Sequence, residues 1–199
     1  MEAFARPAEI PASADQRVMM HGLRWADYEI LLAIRGEKST PRYTFFRGTL
    51  EIMSPSIDHE RVKKNLARIL ETWAFLNEVD LTGVGSWTLR SAPKERGLEP
   101  DECYFLGQHQ KARPDIAIEV VFTSGGMDKL PIYEGLGVPE VWIWEAGEIQ
   151  VWELGEHGYA QRAGSGLVPS LDLPRLAACA AIENQVQAVK RFLGTESLG

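Results

Sequence analysis

The sequence predicts an α/β domain, and three observations predict it. Val62, Leu66, Ile69, Leu70, Trp73 and Leu76 recur at helical spacing and form one apolar stripe. The run DIAIEVVF is apolar enough for a strand buried on both faces, and EVWIWEA and EIQVWELG alternate apolar with polar residues on either side of Ala146-Gly147. The 199 residues, 45% hydrophobic and 25% charged, have ordinary globular composition, which excludes a disordered or fibrous chain and suffices for one sizeable core.

Residues 1–22 mix Pro, Ala and charge without a period at their start and read as a mobile or draped arm; residues 23–199 read as a single domain. WADYEILLAI, from Trp25 to Ile34, is helical in pattern, and Gly36 is its stop. RYTFFRGTLEIMS reads as a hairpin turning at Arg47-Gly48. The long helix follows, with Ser56 or Asp58 as its cap and Asp58 and Glu60 suited to the positive end of its dipole. LTGVGSWTLR, DECYFL and DIAIEVVF are three strands. A TSGG turn leads into a short helix, DKLPIYEGLG, with Pro131 tolerated in the first turn. After the hairpin at Ala146-Gly147, residues 173–193 are helical with a break near Glu183.

Twenty-eight acidic against 21 basic residues give a net charge of −7, which argues against a surface coated in positive charge for indiscriminate DNA binding but leaves room for a local basic cleft. Cys103 and Cys179 lie far apart with no CxxC spacing, as expected of reduced thiols in a cytoplasmic protein. No stretch approaches the roughly 18 apolar residues of a membrane span.

Chemistry concentrates in two strands that open with Pro-Asp: EPDECYFL, with Asp101, and RPDIAIEVV, with Asp115 and Glu119. A carboxylate inside an apolar strand is costly to desolvate unless a cation meets it, so Glu119 needs a partner. Asp115 shares its strand face but stands about 13 Å away, too far to grip the same ion. An acid on a neighbouring strand, about 5 Å away, can do so, and Asp101 is the candidate. Two such carboxylates with water and phosphate suit Mg²⁺ or Mn²⁺. The Gly125-Gly126 turn can fold Lys129 back over the strand end, where an ammonium orients water or neutralises phosphate.

DECYFL, PDIAIEVV and Lys129 resemble the PD-(D/E)XK nuclease superfamily. The strings GTLEIMSPS, HERVKKNLARIL, GLEPDECYF, PDIAIEVVFTSGGMDKL and IYEGLGVPEVWIWE are similar to a restriction endonuclease family formerly known as a domain of unknown function, over Arg24 to Leu193. The resemblance implies an α/β (α+β), restriction-endonuclease-like mixed sheet flanked by helices. It implies a metal-dependent endonuclease on nucleic acid, DNA above all. Asp101 takes the first motif position and Glu119 the second; with the Val120 backbone carbonyl they would ligate Mg²⁺ (or Mn²⁺). The superfamily lysine stands two residues after the acid; Val121 fills that position here, and Lys129 takes the role by replacement. Glu51, His59 and Glu60 form a second rank of candidates, with Asp115 as structural or a supporting partner.

Each of these residues also has a structural reading: Asp101 bonded to nearby backbone, Glu119 in an ion pair, His59 as a capping histidine, and Lys63, Lys64 and Arg68 as a solvated helix face. The rival function is a catalytically silent nuclease-fold module binding nucleic acid or a protein partner; a hydrolase of small phosphorylated substrates is a third. A homodimer pooling two clefts would offset the acidic net charge, and the edge of the EVWIWEA and EIQVWELG hairpin is a candidate contact.

Overall fold

The computed structural model describes residues 14–107, 111–122 and 126–195. Its strands divide between two sheets, where a single mixed sheet was expected. The first sheet is antiparallel, in the order β1 (Gln16–His21), β3 (Thr49–Ser54), β2 (Arg42–Phe46), β6 (Arg96–Leu98), β5 (Leu89–Ser91). The second runs β11 (Gly158–Arg162), β10 (Glu148–Gly155), β9 (Glu140–Glu145), β8 (Ile116–Val121), β7 (Glu102–Leu106), β4 (Leu81–Gly83). Only β8 and β9 pair in parallel among these strands, joined by a crossover through the short helix α3 (Leu130–Leu136).

Gln16–His21, placed within an arm by sequence, adds a strand to the edge of the first sheet; residues 1–13 lie outside the described residues. The hairpin β2–β3 turns where expected, with Arg47 and Gly48 both at positive φ (49° and 77°), the geometry that matches strand twist. LTGVGSWTLR splits into β4 and β5, which enter different sheets, because the intervening VGSWT segment leaves the β7 edge after Val84.

The helix α1 (Trp25–Arg35) packs Trp25 and Tyr28 against Phe45 and Leu50 of the first sheet, and Gly36 closes it with its N–H on the Leu32 carbonyl. Gly97 allows close approach: a Cβ there would lie 2.5 Å from the Tyr28 hydroxyl. The helix α2 (Ile57–Leu76) starts at Ser56, whose Oγ accepts from His59 N–H at 3.2 Å. Its stripe of Val62, Leu66, Ile69, Leu70 and Trp73 meets Ile116, Ile118 and Val120 of β8, with α4 (Leu173–Ala180) and α5 (Gln185–Leu193) completing the layer. Ala117 faces the opposite side, toward Ile132 and Tyr133 of α3, as period-two geometry requires.

Trp142 and Trp144 are buried in the sheet-two core, as sheet packing. The β9–β10 hairpin offers no free edge there, because β8 covers β9 and Gly158–Arg162 pairs along β10. The dimer contact proposed for that edge is thereby corrected: short, polar GYAQR forms the outer strand β11. Among the described residues no helix is long and apolar enough to cross a membrane.

Candidate active site

Strand β8 carries Glu119 on the α3 face, buried to 3% exposure. Its Oε2 accepts from Lys129 Nζ at 2.6 Å, and its Oε1 accepts a short hydrogen bond from the Tyr133 hydroxyl. Lys129 stands at the N-cap of α3 and Tyr133 four residues later, so one turn of helix delivers both donors to one carboxylate. Burial, reinforced by the charge of Glu119, pushes the Tyr133 phenol well above its ordinary range and keeps it a donor. Across the cleft, Glu51 of β3 accepts from Met127 N–H at 2.8 Å. Glu51, Glu119, Val120, Asp128 and Lys129 line a cavity of about 200 Å³.

Asp101 lies one residue before β7 and brackets Glu119 along the neighbouring backbone. Its N–H donates to the Ile118 carbonyl at 3.1 Å, and its Oδ2 accepts from Val120 N–H at 2.7 Å. Its Oδ1 turns toward α2, where His59 Nε2 approaches to 2.7 Å and the Arg42 guanidinium pairs with it. Asp101 therefore opens toward a second cleft, lined also by Arg42, Glu60 and Lys63, while Glu119 opens toward Glu51. The two carboxylates are backbone neighbours whose side chains face opposite helices.

The other sequence candidates separate clearly. His59 is fully buried between Asp101 and Asp15, with Nδ1 at 3.1 Å from Asp15 Oδ2. Glu60 pairs with Lys63 at 2.5 Å and with Arg42 at 3.0 Å. Asp115 sits at the far end of β8, accepting from Leu106 N–H at 2.7 Å and pairing with Lys111 at 2.5 Å, so it closes the β7–β8 connection. Sequence reasoning missed Asp15, Arg42 and Tyr133. Only Tyr133 carried a signal, its i+4 spacing from Lys129.

Burial pushes the Asp15 carboxyl up, but hydrogen bonds from His59 and from Ser56 N–H, with the charges of His59 and Arg17, outweigh it and leave it at about 2. The folded value lies below the ordinary 3.8. The carboxylate therefore contributes about 2 kcal/mol that is complete above its unfolded pKa and is lost as pH falls from about 4 toward 2. Urea unfolding across that window should show this loss in the wild type and not in Asp15→Asn. Equal pH slopes in the two proteins would remove the role assigned to Asp15.

Among the described residues no three His, Cys, Asp or Glu side chains converge as a metal-ligand cluster. The carboxylate donors divide between the two clefts: Glu119 and Glu51 line one, beside Val120, and Asp101 lines the other. Glu119 and Glu51, which line one cleft, suit a hard cation of the Mg²⁺ type, which takes one or two carboxylates and fills its remaining positions with water and phosphate. Asp101, on the other cleft and held by His59, Arg42 and the Val120 N–H, would have to turn to join them.

Helices on a mixed sheet, with an acid pair at adjacent strand positions, place the chain in the restriction-endonuclease-like class of nuclease folds. It belongs to the Uma2 family, described as "Putative restriction endonuclease", which matches residues 25–182. The crystal structure of "a putative nuclease belonging to DUF820" from Anabaena variabilis ATCC 29413 shares the fold at a TM-score of 0.55 and 10% identity, covering 75% of this chain and 97% of that one. No curated protein matches the chain.

Proposed function

We propose that this protein is a metal-dependent endonuclease that hydrolyses phosphodiester bonds of nucleic acid, with DNA as substrate. The observation that carries this reading is the Lys129 ammonium 2.6 Å from Glu119, an acid whose neighbouring backbone Asp101 brackets. Asp101, Glu119 and the Val120 carbonyl would hold Mg²⁺ or Mn²⁺, with Glu51 as an accessory acid. When bound, the ion supplies charge stabilisation for a phosphorane-like transition state and a more acidic water. Lys129 orients the attacking water and faces the phosphate, and Tyr133 fixes the Glu119 rotamer from its buried side. Arg42 neutralises Asp101, so a metal that takes Asp101 would replace a cationic partner.

A second reading, a silent nuclease-fold module that binds without cutting, is favoured by one feature: His59, Arg42 and Val120 N–H already engage Asp101. Calorimetry separates the two. Wild type should bind Mg²⁺, and Asp101→Asn and Glu119→Gln, each shown to fold by circular dichroism, should not. Wild type should also nick supercoiled plasmid in Mg²⁺ but not in EDTA. No Mg²⁺ binding in the millimolar range with an oligonucleotide present, together with intact plasmid, would leave the silent module. A homodimer belongs to the same proposal, pooling two clefts on one duplex.

A further inference from the structure

We infer that a second site, at the far end of α3 from Lys129, binds a backbone phosphate of the nucleic-acid strand. Trp87, Arg90, Ser91, Lys94, Arg113 and Gly135 line a cavity of about 380 Å³. It gathers three cations, and no carboxylate lines it among the described residues, on a chain with seven more acidic than basic side chains. Like charges are costly to gather unless an anion compensates them.

Arg90 and Arg113 are exposed and have no carboxylate partner among the described residues. Glu95 and Glu134, next in sequence to lining residues, are not part of the wall. Glu99, reached through the Thr88 hydroxyl at 2.7 Å, is already paired with Arg35. The carbonyl end of α3 would repel an anion, but Lys94 Nζ donates to the Gly135 carbonyl at 2.7 Å and offsets it. Two guanidiniums, an ammonium, the Ser91 hydroxyl and an indole edge suit a phosphate beside a base or sugar.

Position selects a strand over a free anion. The seven residues of α3 span about 10 Å, with Lys129 at one end and this pocket at the other. That distance is roughly three nucleotide steps of axial rise along one strand. A strand with its scissile phosphate at Lys129 could thus place a later phosphate between Arg90 and Arg113. The inference rests on the nucleic-acid reading above but not on catalysis.

The test is anisotropy of a labelled 20-nucleotide single strand and its duplex, titrated in EDTA over a range of KCl. Wild type, Arg90→Ala/Arg113→Ala and Arg90→Lys/Arg113→Lys are compared, each checked by thermal melting. The double alanine variant should bind about tenfold or more weakly. Its log K against log salt slope should fall by about 0.7 for the single strand or about 0.9 for the duplex, the loss of one phosphate contact. The double lysine variant should keep the wild-type slope. Unchanged affinity and slope in the alanine variant would overturn the inference, as would wild-type binding to neither oligonucleotide. Displacement of a bound strand by millimolar pyrophosphate with wild-type efficiency in the alanine variant would also overturn it. Strand binding that depends on both arginines, with no plasmid cleavage in Mg²⁺, would sink the catalytic reading and leave this site standing.

Discussion

Glu99→Ala should cost about 3–5 kcal/mol of stability, enough to bring a domain of ordinary stability close to unfolding at 37 °C. The Glu99 carboxylate is 4% exposed and satisfies donors from three separate segments. Arg35, at the end of α1, meets both of its oxygens; Tyr43 N–H of β2 donates at 3.1 Å, and the Thr88 hydroxyl donates at 2.7 Å. Truncation strands the Arg35 guanidinium, 7% exposed, in a protein interior with no countercharge. The unpaired charge, more than any lost attraction, sets the magnitude. Glu99→Ala/Arg35→Leu should therefore recover much of the loss, since removing both charges also removes their desolvation. Urea midpoints of the two variants measure this. A single variant within 1 kcal/mol of wild type would mean that water reaches Arg35 and that the pair does not tie α1 to the sheet.

The same rule, that a buried charge needs a partner, explains what was legible in the sequence and what was not. Glu119 stood in an apolar strand and demanded a cation, and the Gly125-Gly126 turn between it and Lys129, ten residues on, made that lysine reachable; the two do meet. The α2 stripe, its Ser56 cap and the β8 face alternation were legible because each depends on local spacing. Arg42 and Asp15 were not, because each reaches its partner from a distant strand or loop and neither has a periodic neighbour to betray it. The division into two sheets was illegible for a related reason. β4, β5 and β6 are three residues each, too short to show alternation, and their sheet is chosen by distant pairing partners. β11 was missed because GYAQR has one large apolar residue and nothing to alternate with. The facing of Asp101 and Glu119 toward opposite helices lies beyond pattern altogether, since it depends on the bend that precedes β7.

The second large effect is a separation of binding from cleavage at Lys129. Lys129→Met should lower nicking of plasmid by about 10²–10⁴-fold, the range for loss of a positioned proton-transfer or water-orienting group. Metal binding should survive or tighten, because the ammonium 2.6 Å from Glu119 Oε2 competes with any cation for that oxygen. Glu119→Gln should lose both properties, since it removes the charge that a metal would need. Tyr133→Phe isolates the second contact: the phenol holds the other Glu119 oxygen from a fully buried position, so its loss should loosen the carboxylate without removing a cation. Cleavage should then fall by far less than in Lys129→Met. The contrast matters because a merely structural ion pair predicts the opposite order. If Lys129 only neutralised Glu119, Lys129→Met would leave a buried, unpaired carboxylate and lower stability, and any protein that still folded would cleave normally. Wild-type nicking by folded Lys129→Met would therefore move the lysine out of the reaction, whereas loss of metal binding in the same variant would make it a scaffold for Glu119 rather than a partner to the attacking water.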